Sequence, residues 1–116
     1  MNSYRGSCHC GDTRFIVEGE LTQALECNCS HCSRKGYLLW FVPREKLSLE
    51  TPLDALSTYR FNRHVIDHHF CPECGCAPFG LGTGGDGKAT AAINVRCLEE
   101  VDLVSVPRVP VDGRSL

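Results

Sequence analysis

The order of apolar and polar residues along this chain predicts short β-strands. Between residues 13 and 21, Phe15 and Val17 occupy alternate positions and Gly19 closes the run, which is typical of a strand with one buried face. Apolar residues nowhere recur at helical spacing for three turns, so no long helix is expected. Further strands are predicted at residues 38–42, 58–61, 65–70, 77–81 and 89–95. The pattern therefore predicts a mainly β fold of short antiparallel strands with long connections.

The connections between these strands carry ordinary turn signals. The sequence Asn62-Arg63-His64 is expected to form the turn of a hairpin between its two neighbouring strands. Pro43 stops the strand before it and leaves room for only one helical turn. The glycine-rich residues 82–87 lack the Lys-Ser/Thr and the helix that follow a phosphate-binding loop, so they are interpreted as a flexible loop.

Length and charge limit the class of protein. A chain of 116 residues is expected to form one domain. Its formal net charge of −2, with no long run of either sign, argues against nucleic acid as a partner. Residues 1–11 contain no apolar stretch like that of a signal peptide, and no later segment is long and apolar enough for a membrane helix. A soluble cytoplasmic protein without a membrane partner is therefore expected.

Nine cysteines give this sequence its most specific chemical signal. This density is several times the ordinary usage, and in a reducing compartment it indicates metal or redox chemistry before disulfides. The cysteines fall into three close groups, with one further cysteine alone. These are Cys8 and Cys10; Cys27, Cys29 and Cys32; Cys71, Cys74 and Cys76; and the single Cys97.

Two of the cysteine pairs have the form of zinc-binding turns. In the segment from Cys71 to Cys74, Pro72 stiffens the bend and the following glycine lets the chain turn, as in zinc-ribbon knuckles. Cys8 and Cys10 form a second pair followed by glycine. Together the two pairs predict a closed, structural four-cysteine zinc site. The alternative is a reduced, metal-free cluster of small buried residues.

The group formed by Cys27, Cys29 and Cys32 predicts a different kind of site. Three thiolates within six residues can cap one face of a zinc ion and leave its fourth position open to a water or an exogenous thiol. The alternatives are a second structural site completed by His31, Cys76 or Cys97, a set of free thiols, and a redox disulfide. Of these, we favour the open zinc site.

Basic residues and histidines near the cysteines have candidate roles as well. Arg34 and Lys35 directly follow Cys32 and could bind a carboxylate of an incoming thiol, although two solvated basic residues in a turn are as good an interpretation. His68 and His69 lie in one predicted strand and face opposite sides, so at most one can approach the cysteines as a general acid or base. Cys76 and Cys97 are expected to be buried packing residues.

The cysteine motifs, in order and spacing, resemble those of a known family. Residues 6–11 read GSCHCG, residues 27–32 read CNCSHC, residues 70–75 read FCPECG and residues 94–97 read NVRC. These segments resemble the signature of the glutathione-dependent formaldehyde-activating enzyme and centromere protein V family. The resemblance implies a β-tent fold with a structural zinc on Cys8, Cys10, Cys71 and Cys74. It also implies a second zinc on Cys27, Cys29 and Cys32, whose fourth position is available to the sulfur of glutathione.

Two functions follow as hypotheses. In the first, the protein is a zinc-dependent carbon–sulfur lyase that acts on adducts of glutathione, or a similar small thiol, with a carbonyl compound, and it carries two zinc ions. In the second, it is a zinc-stabilised binding module without catalytic activity. In either case residues 1–103 are expected to form the zinc-binding domain and residues 104–116 an extended C-terminal arm of the same domain.

Overall fold

The computed structural model describes residues 2–60, 66–84 and 86–115. Short strands dominate these residues, and their bounds in chain order are β1 Asn2–Ser7, β2 Arg14–Gly19, β3 Ala24–Cys27, β4 Leu39–Pro43, β5 Leu47–Leu49, β6 Ser57–Tyr59, β7 Asp67–Phe70, β8 Phe79–Thr83, β9 Ala89–Asn94 and β10 Arg108–Val111. The helix α1 spans Ser30–Lys35, and 3-10 turns lie at Arg44–Lys46, Leu53–Ala55, Val95–Cys97 and Gly113–Ser115.

The strands form two sheets. The smaller sheet has the order β1-β2-β5, and the larger one has the order β10-β3-β4-β9-β8-β7-β6. Every strand pair is antiparallel except β10 with β3, which is parallel. The prediction of a mainly β fold with antiparallel sheets is therefore confirmed, with one parallel pair at the end of the larger sheet.

The hydrophobic core contains residues from both sheets. On β2, Phe15 and Val17 are completely buried, and the Phe15 ring meets the edge of Phe79 on β8 at 5.5 Å between centroids. From the larger sheet, Trp40 on β4 and Ile93 on β9 join the same cluster. Because strand side chains alternate between faces, Leu39 and Phe41, the neighbours of Trp40 on β4, point away from this core. They line a cavity together with the cysteines at 27, 29 and 32.

Several expected elements are present with slightly different bounds. The predicted strand at 13–21 is β2, and the single helical turn after Pro43 is the 3-10 turn at Arg44–Lys46. The strands β6 and β7 pair as the predicted hairpin arms, whereas the hairpin turn itself, Asn62-Arg63-His64, lies outside the described residues. In the part of the chain that the structure describes, no helix has the length and apolar character needed to cross a membrane.

Candidate functional site

The first cysteine group consists of Cys8, Cys10, Cys71 and Cys74, and it joins two turns that are distant in sequence. Its four sulfur atoms all lie within 4.8 Å of one another. The sulfur of Cys10 is 3.6 Å from that of Cys8 and 3.6 Å from that of Cys71. Four sulfurs bound tetrahedrally at about 2.3 Å from a zinc ion would be roughly 3.8 Å apart. The geometry and the donor chemistry of this group therefore fit a closed metal site.

Backbone hydrogen bonds shape both turns of the first group. The amide of Thr13 donates to the sulfur of Cys8 at 3.3 Å, and the amide of Cys8 donates to the carbonyl of Thr13 at 3.1 Å. In the other turn, the amide of Gly75 donates to the carbonyl of Cys71 at 2.8 Å. Gly75 has a φ of +77°, a conformation that glycine adopts without strain. This explains locally why a glycine follows the second cysteine of that turn.

The environment of Cys8 favours its thiolate. Burial alone would raise the pKa of Cys8, but the amide of Thr13 and the thiols of Cys10 and Cys71 donate to its sulfur and lower the pKa to about 6. A thiolate is the form of cysteine that binds a metal. The first group thus holds one sulfur in its metal-binding form near neutral pH.

The second cysteine group consists of Cys27, Cys29 and Cys32, whose sulfurs also lie within 4.8 Å of one another. Cys27 ends β3, Cys29 caps the N-terminus of α1, and Cys32 is buried inside that helix. The amide of Cys29 donates to the sulfur of Cys27 at 3.4 Å, and the amide of Cys32 donates to the sulfur of Cys29 at 3.3 Å. The start of the helix therefore gathers the three sulfurs and turns two amides toward them.

These contacts change the proton affinities of the second group in opposite directions. Burial would raise the pKa of Cys29, yet hydrogen bonds from the Cys32 amide and from the two neighbouring thiols lower it. Burial and the neighbouring sulfurs raise the pKa of Cys32. Among the described residues, no fourth cysteine, histidine or carboxylate places a ligand atom within 4.8 Å of all three sulfurs. The three sulfurs fit a metal ion with a position left for an external ligand.

A cavity of about 690 Å³ adjoins the second group, and all three of its cysteines line it. Most of the other lining side chains are apolar or aromatic, and they come from β3, β4, β9 and β10 and from residues just before β4 and β7. They include Leu25, Tyr37, Leu39, Phe41, Ile66, Ala92 and Val111. His31 and His68 also line it. The sulfurs of the second group are therefore accessible from a space that can hold a small molecule.

A second cavity, of about 750 Å³, has lining residues in common with the first. Arg34 and Lys35 line it, and it shares His31, Tyr37 and His68 with the first cavity. Lys35 places its Nζ atom 5.7 Å from the centre of the Phe70 ring, and Arg34 donates from Nη1 to the carbonyl of Ser30 at 2.8 Å. The two basic residues predicted from the sequence thus lie beside the cysteine cavity.

The histidines that line both cavities favour their uncharged forms. The rings of His31 and His68 lie 4.3 Å apart between centroids. Burial, followed by the nearby His31, His69 and Lys35, lowers the pKa of His68 to about 4, and burial together with Lys35 lowers that of His31. Among the described residues that line the second cavity, Arg34 and Lys35 therefore carry the positive charge at neutral pH.

His69 does not line the cysteine cavity, although it lines the second cavity together with His68. Its Nδ1 atom lies 3.0 Å from the hydroxyl of Thr58, and its ring lies 5.7 Å from that of Phe79. Of the two adjacent histidines, His68 lines the cavity beside the second group. This arrangement matches the alternation of a strand, in which neighbouring side chains point to opposite faces.

Two further cysteines contact each other outside both groups. The sulfurs of Cys76 and Cys97 lie 3.5 Å apart, and both residues are half-buried. Neither is within the set of sulfurs gathered by Cys27, Cys29 and Cys32. The structure therefore places Cys76 and Cys97 together, outside the three-sulfur set of the second group.

The C-terminal segment also reaches the second group. Strand β10 pairs in parallel with β3, which aligns Val111 with Cys27. Gly113 lines the cysteine cavity beyond that pair. Sequence inspection did not identify these residues as part of the site, because parallel pairing between segments more than eighty positions apart leaves no local pattern. Tyr37, which lines both cavities, was missed because a single aromatic residue after the cysteines has no spacing that distinguishes it from a core residue.

Comparison with known proteins agrees with the motifs and the geometry. A family model described as glutathione-dependent formaldehyde-activating enzyme matches residues 3–108. A crystal structure of a Rhodobacter sphaeroides protein is similar over 90% of this chain and 99% of its own, with a TM-score of 0.77 and 27% sequence identity. The family resemblance seen in the sequence is thus confirmed. This protein belongs to the glutathione-dependent formaldehyde-activating enzyme family.

Proposed function

We propose that this protein is a zinc-dependent carbon–sulfur lyase that acts on adducts of glutathione, or of a similar small thiol, with a carbonyl compound. The second cysteine group would hold one zinc ion beside the substrate. The first group would hold another that stabilises the fold. The proposed compartment of the protein is the cytoplasm, where its nine cysteines remain reduced and available to metals. No nucleic-acid or membrane partner is proposed.

The observation that carries this proposal is the position of three sulfurs at the wall of a cavity. Cys27, Cys29 and Cys32 lie within 4.8 Å of one another and line a space of about 690 Å³. A purely structural zinc site is closed by four protein ligands, whereas a catalytic site keeps a position for its substrate. The three-cysteine set with an adjoining cavity matches the second description.

The reaction that fits the family is cleavage or formation of a bond between sulfur and a hydroxyl-bearing carbon. In the cleavage direction the hydroxyl of the adduct gives its proton to water, the O–H electron pair forms the carbonyl, and the electron pair of the carbon–sulfur bond leaves with the sulfur as a thiolate. A zinc ion bound to the second group would act as a Lewis acid that stabilises the thiolate at neutral pH. The cysteines themselves orient the site, since helix α1 and its hydrogen bonds fix their sulfurs.

The basic residues are proposed to bind the carboxylates of the thiol. Arg34 and Lys35 line the cavity that shares His31, Tyr37 and His68 with the cysteine cavity. Glutathione carries two carboxylates, and a guanidinium or ammonium group favours such anions. Because the neighbouring histidines have lowered pKa values, they remain uncharged at neutral pH and leave this role to Arg34 and Lys35.

The same cavities have room for the carbonyl part of the adduct. Beside the sulfurs, the side chains of Leu39, Phe41 and Ile66 offer apolar surface. Phe41 and Ile66 are 51% and 43% exposed, so the rim of this cavity is open to solvent. A carbonyl compound with an apolar substituent can contact that surface without losing hydrogen bonds to water, which supports a carbonyl substrate larger than formaldehyde.

The variant Cys29→Ser tests this proposal with little disturbance of the fold. Cys29 caps α1 by accepting a hydrogen bond from the amide of Cys32, and serine is a preferred residue at that position. The variant should therefore keep its melting temperature within a few degrees. Elemental analysis should find one zinc ion per chain in this variant instead of two, and calorimetry should detect no binding of glutathione.

The matched control is Cys76→Ser, which replaces a half-buried cysteine outside both groups. It should keep two zinc ions and bind glutathione as the unaltered protein does. The proposal is contradicted if fully metallated, unaltered protein gives no binding heat with glutathione or related small thiols. A binding module without catalytic activity would then be the better interpretation.

A further inference from the structure

The C-terminal turn lies directly over the second cysteine group. Strand β10 brings Val111 beside Cys27 through parallel pairing with β3. The amide of Asn28 donates to the carbonyl of Val111 at 3.1 Å and so extends the pairing by one residue. The chain then turns through Gly113–Ser115. Residues 111–115, called the clasp from here on, therefore begin at the sulfur-bearing end of β3.

The side chain of Asn28 forms two hydrogen bonds with the clasp. Its Nδ2 atom donates to Oδ1 of Asp112 at 2.9 Å, and its Oδ1 atom accepts from the amide of Arg114 at 2.9 Å. Asp112 also accepts from the hydroxyl of Ser115 at 2.6 Å through its other oxygen. Asn28 lies between Cys27 and Cys29 in the sequence. The residue that anchors the clasp is thus built into the loop that presents the sulfurs.

Between these anchors, Gly113 packs against the cysteines without room for a side chain. A Cβ atom added to Gly113 would overlap the sulfur of Cys27 and lie 3.2 Å from the Cβ atom of Cys29. Carbon atoms in favourable contact are about 3.5 to 4.0 Å apart, so even a methyl group forces a movement. The φ of Gly113 is not in the left-handed region, hence close approach, and not backbone conformation, requires glycine here.

We propose that the clasp is part of the second metal site, with Gly113 as the positioning residue that holds the sulfurs of Cys27 and Cys29 in their binding arrangement. This inference rests on the proposed function in one respect, namely that the second group binds a metal. The match to the family model ends at residue 108, so the clasp lies beyond the segment that assigns the family.

The position of the clasp also limits how a ligand reaches the sulfurs. Gly113 lies against Cys27, while Leu39, Phe41 and His68 line the same cavity from the strands β4 and β7. At Gly113 a ligand would meet the backbone of the clasp. The sulfurs are reached instead from the side of the apolar strands and the histidines. Cys27 and Cys32 also line a further cavity of about 530 Å³, which is bordered by the clasp residues Val111 and Asp112.

The test compares Gly113→Ala with Arg114→Ala. The alanine at 113 pushes against Cys27, whereas the alanine at 114 removes an exposed side chain and keeps the amide that donates to Asn28. Zinc is replaced by cobalt, and the thiolate-to-cobalt absorption is followed over two equivalents. Gly113→Ala should bind the first equivalent normally and the second at least tenfold more weakly, with an altered spectrum. Arg114→Ala should match the unaltered protein.

A second readout does not depend on metal binding. Asn28→Ala removes both anchors of the clasp, and it should raise the rate of Cys27 alkylation by iodoacetamide at least fivefold in peptide mass spectrometry. Asp112→Ala should also raise the rate of Cys27 alkylation. Asp112→Asn keeps the Oδ1 acceptor, so its Cys27 should be alkylated as slowly as in the unaltered protein. The Cys71 rate should stay unchanged in every variant, which excludes general unfolding.

The two readouts separate the clasp from the proposed function. If the unaltered protein binds only one cobalt ion while Asn28→Ala still accelerates the alkylation of Cys27, the second metal fails and the clasp stands as a cover of that cysteine. The proposed role of the clasp is wrong if Gly113→Ala leaves the affinity for the second cobalt equivalent unchanged and Asn28→Ala leaves the rate of Cys27 alkylation unchanged.

Discussion

The two cysteine groups use the same side chain for different physical purposes. The first group joins turns separated by 61 positions between Cys10 and Cys71, and two of its members, Cys8 and Cys71, are almost completely buried. The second group lies within one short segment around the start of α1 and borders a cavity. A metal in the first group closes a long loop, whereas a metal in the second group closes almost none.

This difference separates stability from chemistry. Loop closure costs entropy that increases slowly with loop length, and binding a metal only in the folded state stabilises that state by the binding free energy. The first group should therefore contribute strongly to the free energy of unfolding. Helix α1 and its caps arrange the second group, so its metal should contribute less to stability and more to ligand binding.

The largest effect on stability is expected when a ligand of the first group is removed. Cys71→Ser should lower the free energy of unfolding by several kcal/mol, because a structural zinc contributes on the order of 10 kcal/mol and a small domain has only about 5 to 15 in total. Cys71 is fully buried, so the serine hydroxyl would also lack water. Chemical denaturation and circular dichroism would measure the loss.

Cys76→Ser serves as the control here as well. Cys76 lies two residues after Cys74, and its sulfur is not one of the four that form the first group. The comparison is wrong if Cys71→Ser melts within a few degrees of the unaltered protein. It is also wrong if Cys29→Ser is as destabilising as Cys71→Ser, since the second group would then be a structural staple too.

The two groups should release their metals at different pH values. Protons compete with metal for thiolates. In the first group the pKa values of Cys8 and Cys74 are lowered and that of Cys10 is raised, whereas in the second group the pKa of Cys29 is lowered and that of Cys32 is raised. The first group therefore has both more ligands, four against three, and more sulfurs that favour the thiolate. As the pH falls, a colorimetric chelator should register release from the second group first.

The sign of the effect follows from the pKa of Cys8, about 6 against an ordinary value of 9.0. An acid with a lowered pKa in the folded state favours that state at high pH and loses this contribution as the pH falls toward the lowered value. The first group should thus bind its metal less tightly as the pH falls, yet release it at a lower pH than the second group does. Simultaneous release of both metals, at one pH, would contradict the ranking.

The two groups also differed in how much their surroundings could be predicted from sequence. Both cysteine sets were found from spacing alone, because a metal turn needs ligands a few residues apart and that spacing is written in the chain. The partnership of residues 8–10 with 71–74 needed only the matching of two similar turns. The sulfurs of both sets come together in the structure.

The structure around the second group was much harder to predict. Helix α1 has six residues, too few for apolar residues to show a helical period. Elsewhere in the fold, strand β1 was missed because Gly6 is its only buried residue, so it lacks the alternation that identified β2. The clasp depends on a parallel strand pair and on the contact of Gly113 with Cys27. Such contacts are properties of the folded chain, and no single segment contains their signal.

The smallest expected effect concerns charge beside the second group. Lys35→Ala removes a cation from the cavity next to the cysteines and should weaken glutathione binding by roughly three- to tenfold, about 1 kcal/mol, since exposed charge pairs contribute no more than this. Calorimetry at two salt concentrations gives a sharper result. Salt should weaken binding to the unaltered protein and have less effect on the variant, because screening acts on the interaction that Lys35 provides.

The matched control lies beside the first group. Arg14 donates from Nε to the carbonyl of Gly11 at 3.0 Å, one residue after Cys10, and its removal takes away a cation from the structural site only. If Arg14→Ala weakens glutathione binding as much as Lys35→Ala does, long-range charge and not a local carboxylate contact controls affinity. Equal affinities for all three proteins would remove Lys35 from the binding site, while the proposed role of the three sulfurs would still depend on the Cys29→Ser result.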